Sequence, residues 1–304
     1  MKKESLGYFY LLNTIIFFST FEVVSRMVAG KISPFQINFL RFFFGGILLL
    51  VVLFISKESK RISKKEFLWV TLVGIMNVGI SMNLIQLSLS DSNAKASVIA
   101  VIISSNPIFV TIFSALIEKE KIKLYKVVGL IIGVLGIGIV FFQDLDMSNM
   151  NFKSPSLALA SAISFAMYTV LGKKVSSKIG SLKMNAYSFT IGSVLIIPFL
   201  MLFKIPVIKF ESSLILPVFY LSFFVTGIAY IAYFKGLEII GTSNGSLVFF
   251  IKPVLASVFA IIILKEKATM NLFIGTVFII MGIYVVLFWE KISEKIKGKN
   301  VKTA

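Results

Sequence analysis

The sequence predicts an all-α integral membrane protein, ten transmembrane helices arranged as two inverted five-helix repeats. Three observations carry that prediction. Of 304 residues, 57% are hydrophobic and only 15% are charged. The apolar residues gather into ten stretches near the 20 residues that a bilayer core requires. The two halves also repeat each other: a slide of 146 positions lays Pro107 on Pro253, Phe113 on Phe259 and Lys119-Glu120-Lys121 on Lys265-Glu266-Lys267. The same slide lays Gly46 on Gly192, Gly129 on Gly275 and Gly136 on Gly282. Each half holds five stretches. Five is odd, so the second half enters the bilayer upside down, the signature of carriers that open to the two sides in turn.

The first stretch, about 7–27, exceeds the apolar core of a signal peptide and lacks a small-x-small cleavage site, so it is read as a retained span. The second, 34–56, carries Phe39-Leu40-Arg41-Phe42 and then Gly45-Gly46. The third, 66–87, begins beside Trp69 and carries Asn77, Asn83 and Gln86. The fourth, 94–117, is interrupted by Pro107, and the fifth, 124–142, carries Gly129, Gly133, Gly136 and Gly138. The sixth and seventh, 155–172 and 184–203, open the second repeat. The eighth, 214–235, holds Tyr230 and Tyr233; the ninth, 242–264, is interrupted by Pro253; the tenth, 270–289, ends on Trp289. The connections, longest near 57–65, 143–154 and 173–183, are too short for a soluble domain. We therefore divide the chain into residues 1–147 and residues 148–304, the latter with a short basic tail.

Net charge is +17, yet its distribution speaks of topology. Of the 31 basic residues only eight (Arg26, Lys31, Lys95, Lys153, Lys204, Lys209, Lys265 and Lys267) fall outside if the N-terminus is cytoplasmic. Arg41 and Lys252 lie within segments, and all the others fall inside. The positive-inside rule thus places both termini in the cytoplasm of a multi-pass plasma-membrane protein, with Trp69 and Trp289 at the inner interface. The basic tail reads as a topology determinant and a contact for anionic lipid, not as a nucleic-acid site. There is no cysteine and no histidine. The commonest zinc, haem and iron–sulfur ligand sets are absent, and neither a metal nor a cofactor is expected.

Polar residues at the two proline breaks mark the candidate site. Proline removes a helix hydrogen bond, and in lipid the freed carbonyl must face protein or a wet cavity. Matched breaks in two repeats are the best sequence pointer to a transporter's binding site; packing kinks without a ligand are the alternative. Lys252 lies about 15 Å from either end of its segment at helical rise, too deep to snorkel. It either binds an anionic group such as a carboxylate or serves as counter-ion to Glu22 or to nearby carbonyls. Its repeat partner, Asn106, offers an amide from the opposite side. Glu22 and Arg41 approach each other near the outer side as an ion-pair candidate, and Glu22 is also a candidate proton carrier. Asn83 and Gln86, three apart on one helical face, and Tyr230 with Tyr233, likewise three apart, are expected to line the cavity or else to bond between helices. Glu120 and Glu266 are read as structural, each near the N-terminus of the next helix. The glycine strips on segments five and ten are read as close helix packing, within the chain or between two copies in a homodimer. The 31 phenylalanines are taken mostly as lipid-facing bulk.

These residues resemble the drug/metabolite transporter superfamily, in its EamA-like ten-helix branch. The matching text is Asn106-Pro107 or Lys252-Pro253, then Glu120 or Glu266 thirteen residues past the proline, then Gly129 or Gly275 nine further, and a second glycine seven on. Phe39-Leu40-Arg41-Phe42 with Gly45-Gly46 looks like the start of that family's second helix. The resemblance covers residues 7–289. It implies a central cavity walled by helices three, four, eight and nine with one and six contributing, which places Asn83, Asn106, Tyr230 and Lys252 near substrate and Glu22 and Tyr168 beside them. It carries no substrate signature that Lys252 would satisfy. The expected function is secondary transport of a small polar metabolite, an amino acid or related compound, by alternating access and in the direction of export. The alternative is uptake of a nucleoside, sugar phosphate or other anionic metabolite by the same fold. An intramembrane enzyme is disfavoured, because no Asp falls within the ten segments and no His exists. A non-transporting receptor or scaffold would have no need of a polar midplane.

Overall fold

The computed structural model describes residues 3–56, 61–119, 121–141, 152–267 and 269–300. Among these, ten helical rods follow one another, and no β-strand occurs. They are α1 (Lys3–Val28), α2 (Pro34–Ile55), α3 (Lys64–Ser90), α4 (Ala96–Ile117), α5 (Leu124–Phe141), α6 (Lys153–Ile179), α7 (Ser181–Leu202), α8 (Ser212–Ile240), α9 (Thr242–Leu264) and α10 (Met270–Asn300). Each coincides with one apolar stretch. Several run further, because a helix whose apolar part fills the bilayer continues into water on polar residues. The last turns of α6, with Lys173, Lys174 and Lys178, lie beyond the expected end at 172. Eight rods are apolar and long enough to span by themselves; α5 and α10 have shorter apolar cores. Even so, the 18 residues of α5 rise about 27 Å, close to the hydrocarbon thickness.

The inversion of the repeats is visible where equivalent helices meet. Glu266, just past α9, accepts from the Ala96 and Ser97 backbone N–H groups at 2.8 and 3.3 Å and from Ser97 Oγ at 2.6 Å, all at the start of α4. At the other end, Thr242 Oγ1 at the start of α9 donates to Glu118 Oε2 at the end of α4, 2.9 Å away. The two broken helices are therefore antiparallel. Each half leaves its broken helix through a left-handed lysine, Lys119 and Lys265, both with φ 57°. Glu266 was expected to sit near the following helix; it caps the broken helix of the other half instead, so the repeats are pinned to each other. Glu120 lies outside the described residues. Removing the carboxylate strands two buried-end N–H donors and a hydroxyl, so Glu266→Ala is expected to lower stability by roughly 1–3 kcal/mol, with Glu266→Gln intermediate. Thermal unfolding of the purified protein would read this; an unchanged midpoint for the alanine variant would dismiss the cap.

α5 crosses α10 with glycine against backbone. A Cβ added at Gly136 would stand 2.5 Å from the Gly275 carbonyl oxygen, and one at Gly282 would stand 2.5 Å from that of Gly129. Gly129, Gly136, Gly275 and Gly282 meet inside the chain, between the halves, while a Cβ added at Gly138 would meet nothing within 4 Å.

The third and eighth helices carry a device the sequence did not announce. Ile75–Ser81 in α3 and Leu221–Ile228 in α8 are π-helical, and their first residues are 146 apart. A π segment widens the helix and shifts its carbonyls out of the i→i+4 ladder; such segments recur at functional sites. Here the nearby carbonyls find side-chain partners. Val78 O accepts from Asn38 Nδ2 at 2.9 Å and Asn83 Nδ2 at 3.2 Å, and Gly79 O accepts from Asn83 Nδ2 at 2.9 Å. Just past the second π segment, Ala229 O accepts from Thr14 Oγ1 at 3.2 Å.

Candidate functional site

Four helices meet at the buried centre, and three of them bring a charged residue to it. α9 breaks as the resemblance to α4 requires: a short helix, Thr242–Ser246, passes through a 3-10 turn, Leu247–Phe250, and restarts at Lys252 with Pro253 in its first turn. Proline fits there because a first-turn residue has no helical N–H bond to lose. In α4 the helix stops at Ile103 and restarts at Asn106, again with proline in the first turn.

Lys252 Nζ donates to Glu22 Oε1 of α1 in a close ion pair, and both side chains are buried, at 3% and 0% exposure. Arg41, on α2, is 1% exposed. Its Nε donates to Thr226 Oγ1 in the π segment of α8 at 3.1 Å. Its guanidinium carbon sits 4.4 Å from the Phe21 ring centroid and 4.7 Å from that of Phe42, a desolvated cation–π arrangement. Of the two pairings the sequence offered for Glu22, with Arg41 or with Lys252, the structure holds the one with Lys252. The lysine stem reaches a carboxylate that can neutralise it, while the planar guanidinium is held by rings and a hydroxyl.

Two cations and one anion leave an excess of one positive charge in a buried place. Arg41 Nη1 and Glu22 Oε2 are both buried and have no hydrogen-bond partner. Native proteins pair nearly all such atoms, so each unpaired one asks for a reason. Beside them lies a cavity of about 30 Å³, lined by Arg41, Lys252, Tyr230, Ser161 and apolar residues from both halves. That is room for a water, not for a metabolite; the site is closed in this conformation.

Aromatic rings wall the cavity. Tyr230 packs at centroid distances of 4.9 Å from Phe18 and 4.9 Å from Phe189, with Tyr168 at 6.2 Å. Phe165 and Phe249 also line the cavity. So several phenylalanines belong to the site, contrary to the reading of them as lipid-facing bulk. The hydroxyl of Tyr230 points at Met82 Sδ, 3.6 Å away, and that of Tyr233 at Thr169 Oγ1, 3.3 Å away. The Tyr168 hydroxyl is buried without a partner.

Of the residues singled out in the sequence, Lys252, Glu22, Arg41 and Tyr230 converge here, and Tyr168 adjoins them. Asn83 does not. It bonds Asn38, with Asn38 Nδ2 donating to Asn83 Oδ1 at 2.8 Å, and it satisfies the π-segment carbonyls. Gln86 Nε2 donates to Ser25 Oγ at 3.2 Å and ties α3 to α1. Asn106 Nδ2 donates to Ala162 O of α6 at 3.3 Å, and its Oδ1 is buried and unpartnered. Pro107 is buried in the first turn after the break. Sequence reasoning missed Thr226 and the phenylalanine wall; neither residue type signals burial by itself. Among the described residues no group of three or more His, Cys, Asp or Glu could hold a metal. The chemistry this arrangement offers is recognition of a charged or zwitterionic group.

Two polar clusters stand at the ends of the crossing helices. At one end is the Glu266 cap already described. At the other, Lys173 pairs with Glu118 at 2.9 Å while Glu118 accepts from Thr242. Beside it the buried Lys126 donates to Ser243 Oγ at 2.8 Å, and Thr111 Oγ1 lies 3.2 Å from the same oxygen.

The profile of the EamA-like transporter family matches residues 5–142 and 153–288. A transporter of Clostridium kluyveri is 33% identical, over 93% of this chain and 92% of its own length. A transporter of Archaeoglobus fulgidus is 29% identical over 90% and 96%. The S-adenosylmethionine uptake transporter of Rickettsia prowazekii is 25% identical over 97% and 96%. One crystal structure superposes with a TM-score of 0.75, covering 95% of this chain and 99% of its own; at 19% identity the likeness speaks to fold alone.

Proposed function

The chain belongs to the EamA-like transporter family, and from that premise we propose that it carries a small zwitterionic metabolite, an amino acid or related compound, out of the cell by alternating access. The single observation that carries this reading is the buried Lys252–Glu22 pair with Arg41 beside it, one unpaired atom remaining on Glu22 and one on Arg41. A substrate carboxylate meets Arg41 and Lys252, and its ammonium meets Glu22. The exchange replaces one set of charge-assisted bonds with another, so the buried charges are never left bare. The apolar part of the substrate rests on the ring wall of Tyr230, Tyr168, Phe165 and Phe249. Asn106 contributes its unpaired carbonyl oxygen from α4. Asn83 and Gln86 brace α2 and α1 instead of touching substrate.

We place the chain in the plasma membrane with both termini cytoplasmic, on the strength of its lysine distribution. Opening toward either side separates the ends of α4 and α9. One opening breaks the Glu266 cap; the other breaks the Glu118–Thr242 and Lys126–Ser243 contacts. The repeats then rock about a fixed site. The transporter works without cofactor, and it needs no second copy to complete the site.

A second reading, uptake through the same fold, is favoured by one observation: the Rickettsia relative is an uptake transporter for an amino-acid derivative. Metabolite profiling of medium and cytosol with and without overexpression would name the substrate, and counterflow in sealed vesicles of known orientation would then give the direction. If Glu22 also carries protons, an uncoupler will reduce flux severalfold and Glu22→Gln will transport without responding to a proton gradient. Full activity of that variant with indifference to the uncoupler removes protons from the cycle.

A further inference from the structure

Away from the centre, the N-terminal turn of α3 and the last turns of α6 enclose a cavity of about 300 Å³ at one end of the bundle, within the size range of small-ligand sites. We propose that this cavity binds the phosphodiester headgroup of an anionic glycerophospholipid, and that it is a lipid site separate from the transport pathway.

Charge is the first argument. Lys65 from α3 and Lys174 and Lys178 from α6 line the cavity. The one acid among the lining residues is already engaged: Ser63 N–H donates to Glu66 Oε2 at 2.6 Å, while Glu66 N–H donates to Ser63 Oγ at 3.3 Å. This reciprocal cap fixes the carboxylate on its own backbone. A further lysine, Lys183 at the start of α7, is 7% exposed and acts electrostatically on the Glu66 carboxylate. The lining therefore carries three cations against one capped anion, converging from two helices. An anion of one to two charges suits that balance.

The second argument selects a lipid over a soluble anion. Trp69 lines the same cavity and is 37% exposed, and Trp is a residue type that anchors in the headgroup layer. Continuing along α3 from the cavity, Leu68, Leu72 and Ile75 are exposed at 68%, 40% and 39%. They follow at helical spacing, a lipid-facing stripe that begins where the lysines end. A phosphodiester held by the lysines would lay its acyl chains on that stripe. A free phosphate would gain nothing from it. Basic pockets between spanning helices are a recognised form of headgroup site.

The test uses the full chain, purified and returned to nanodiscs of phosphatidylcholine with or without phosphatidylglycerol. Lipid retained through delipidation is counted by native mass spectrometry. One variant is Lys65→Gln/Lys174→Gln/Lys178→Gln. A charge-matched control, Lys291→Gln/Lys295→Gln/Lys297→Gln, removes three tail lysines. Wild type is expected to retain phosphatidylglycerol through delipidation, with a loss of roughly tenfold or more in the pocket variant and a smaller loss in the tail control, whose lipid contact is diffuse. Equal melting of all three proteins in phosphatidylcholine would show that the loss is not unfolding; a pocket variant that melts early is replaced by the single Lys174→Gln, expected to lose severalfold. Equal loss in pocket and tail variants would overturn the proposal in favour of diffuse surface charge. Displacement of the lipid by millimolar inorganic phosphate, as effective as displacement by short-chain phosphatidylglycerol, would overturn it in favour of a soluble anion.

Discussion

Transport by Lys252→Ala is expected to fall at least about 10- to 100-fold, because a hydrogen bond from a charged group is worth roughly 1.5–3 kcal/mol to the bound substrate. The variant should also be less stable. It leaves the Glu22 carboxylate buried and unpaired, and breaking a buried pair from one side costs about 3–5 kcal/mol. Those two losses have different cures, and this separates binding from mere charge balance. In Glu22→Gln/Lys252→Met the unpaired charge is gone, so the melting temperature should recover. If the Glu22–Lys252 pair contacts substrate, transport stays lost in the double variant. If the two are only a structural ion pair, transport returns together with stability. Melting curves and counterflow on the two single variants and the double variant make the comparison. A double variant that is both stable and active would remove Lys252 from the substrate site and leave it a structural ion.

How far the centre was legible in the sequence depends on what each residue needs. A lysine ten residues from either end of an apolar segment must have a partner, so burial and a companion for Lys252 were legible from depth alone. Glu22 was named as one candidate companion beside a substrate group and nearby carbonyls, but the choice among them was not legible, since Glu22 and Lys252 are 230 positions apart and only the packing of α1 on α9 joins them. The proline breaks of α4 and α9 were legible because proline acts locally. The π segments of α3 and α8 were not: they contain no proline, and the carbonyls in or just past them find partners in Asn83 and in Asn38 and Thr14, the last two remote and unmarked in sequence. Asn83 and Gln86 were assigned one face by spacing, correctly as geometry, yet that face is shared between α2 and α1 contacts and not given to the cavity. The ten helices themselves needed no such knowledge. Hydrocarbon forces any spanning backbone to bond within itself, so length and apolarity suffice.

The matched π segments and matched breaks together give the site its character. Thr226, which holds Arg41, belongs to the π stretch of α8, and Lys252 begins the helix after the break in α9. Lys252 and the hydroxyl that holds Arg41 thus stand on backbone that departs from the α ladder, while Arg41 itself sits on the regular helix α2. Such backbone is tolerated at membrane depth only inside protein or beside a cavity. The same departures recur 146 residues away in α3 and α4, where the matching positions carry Asn106 instead of Lys252. The two halves thus share the bends and differ in the residue at the break, Asn106 in one and Lys252 in the other.

That symmetry makes the α5–α10 crossing the place where one substitution should do the most structural harm. Gly136→Leu and Gly282→Leu are each expected to destabilise the protein by about 1–3 kcal/mol or more, the range for overpacking, and the upper end applies here. At both positions the nearest obstacle is a carbonyl oxygen of the opposite helix, 2.5 Å from the added Cβ. A side chain could rotate away; backbone cannot, so the helices must separate and lose the close packing on which association in lipid depends. Gly138, where an added Cβ meets nothing within 4 Å, supplies the control: Gly138→Ala should be neutral or slightly stabilising. Thermal unfolding in detergent reads all three. The pseudo-two-fold demands that the losses at Gly136 and Gly282 be similar, because each glycine faces the repeat partner of the residue faced by the other. A large effect at one and none at the other would mean that the halves do not meet as an inverted pair, and the antiparallel packing of α4 on α9 would then have to be redrawn as well.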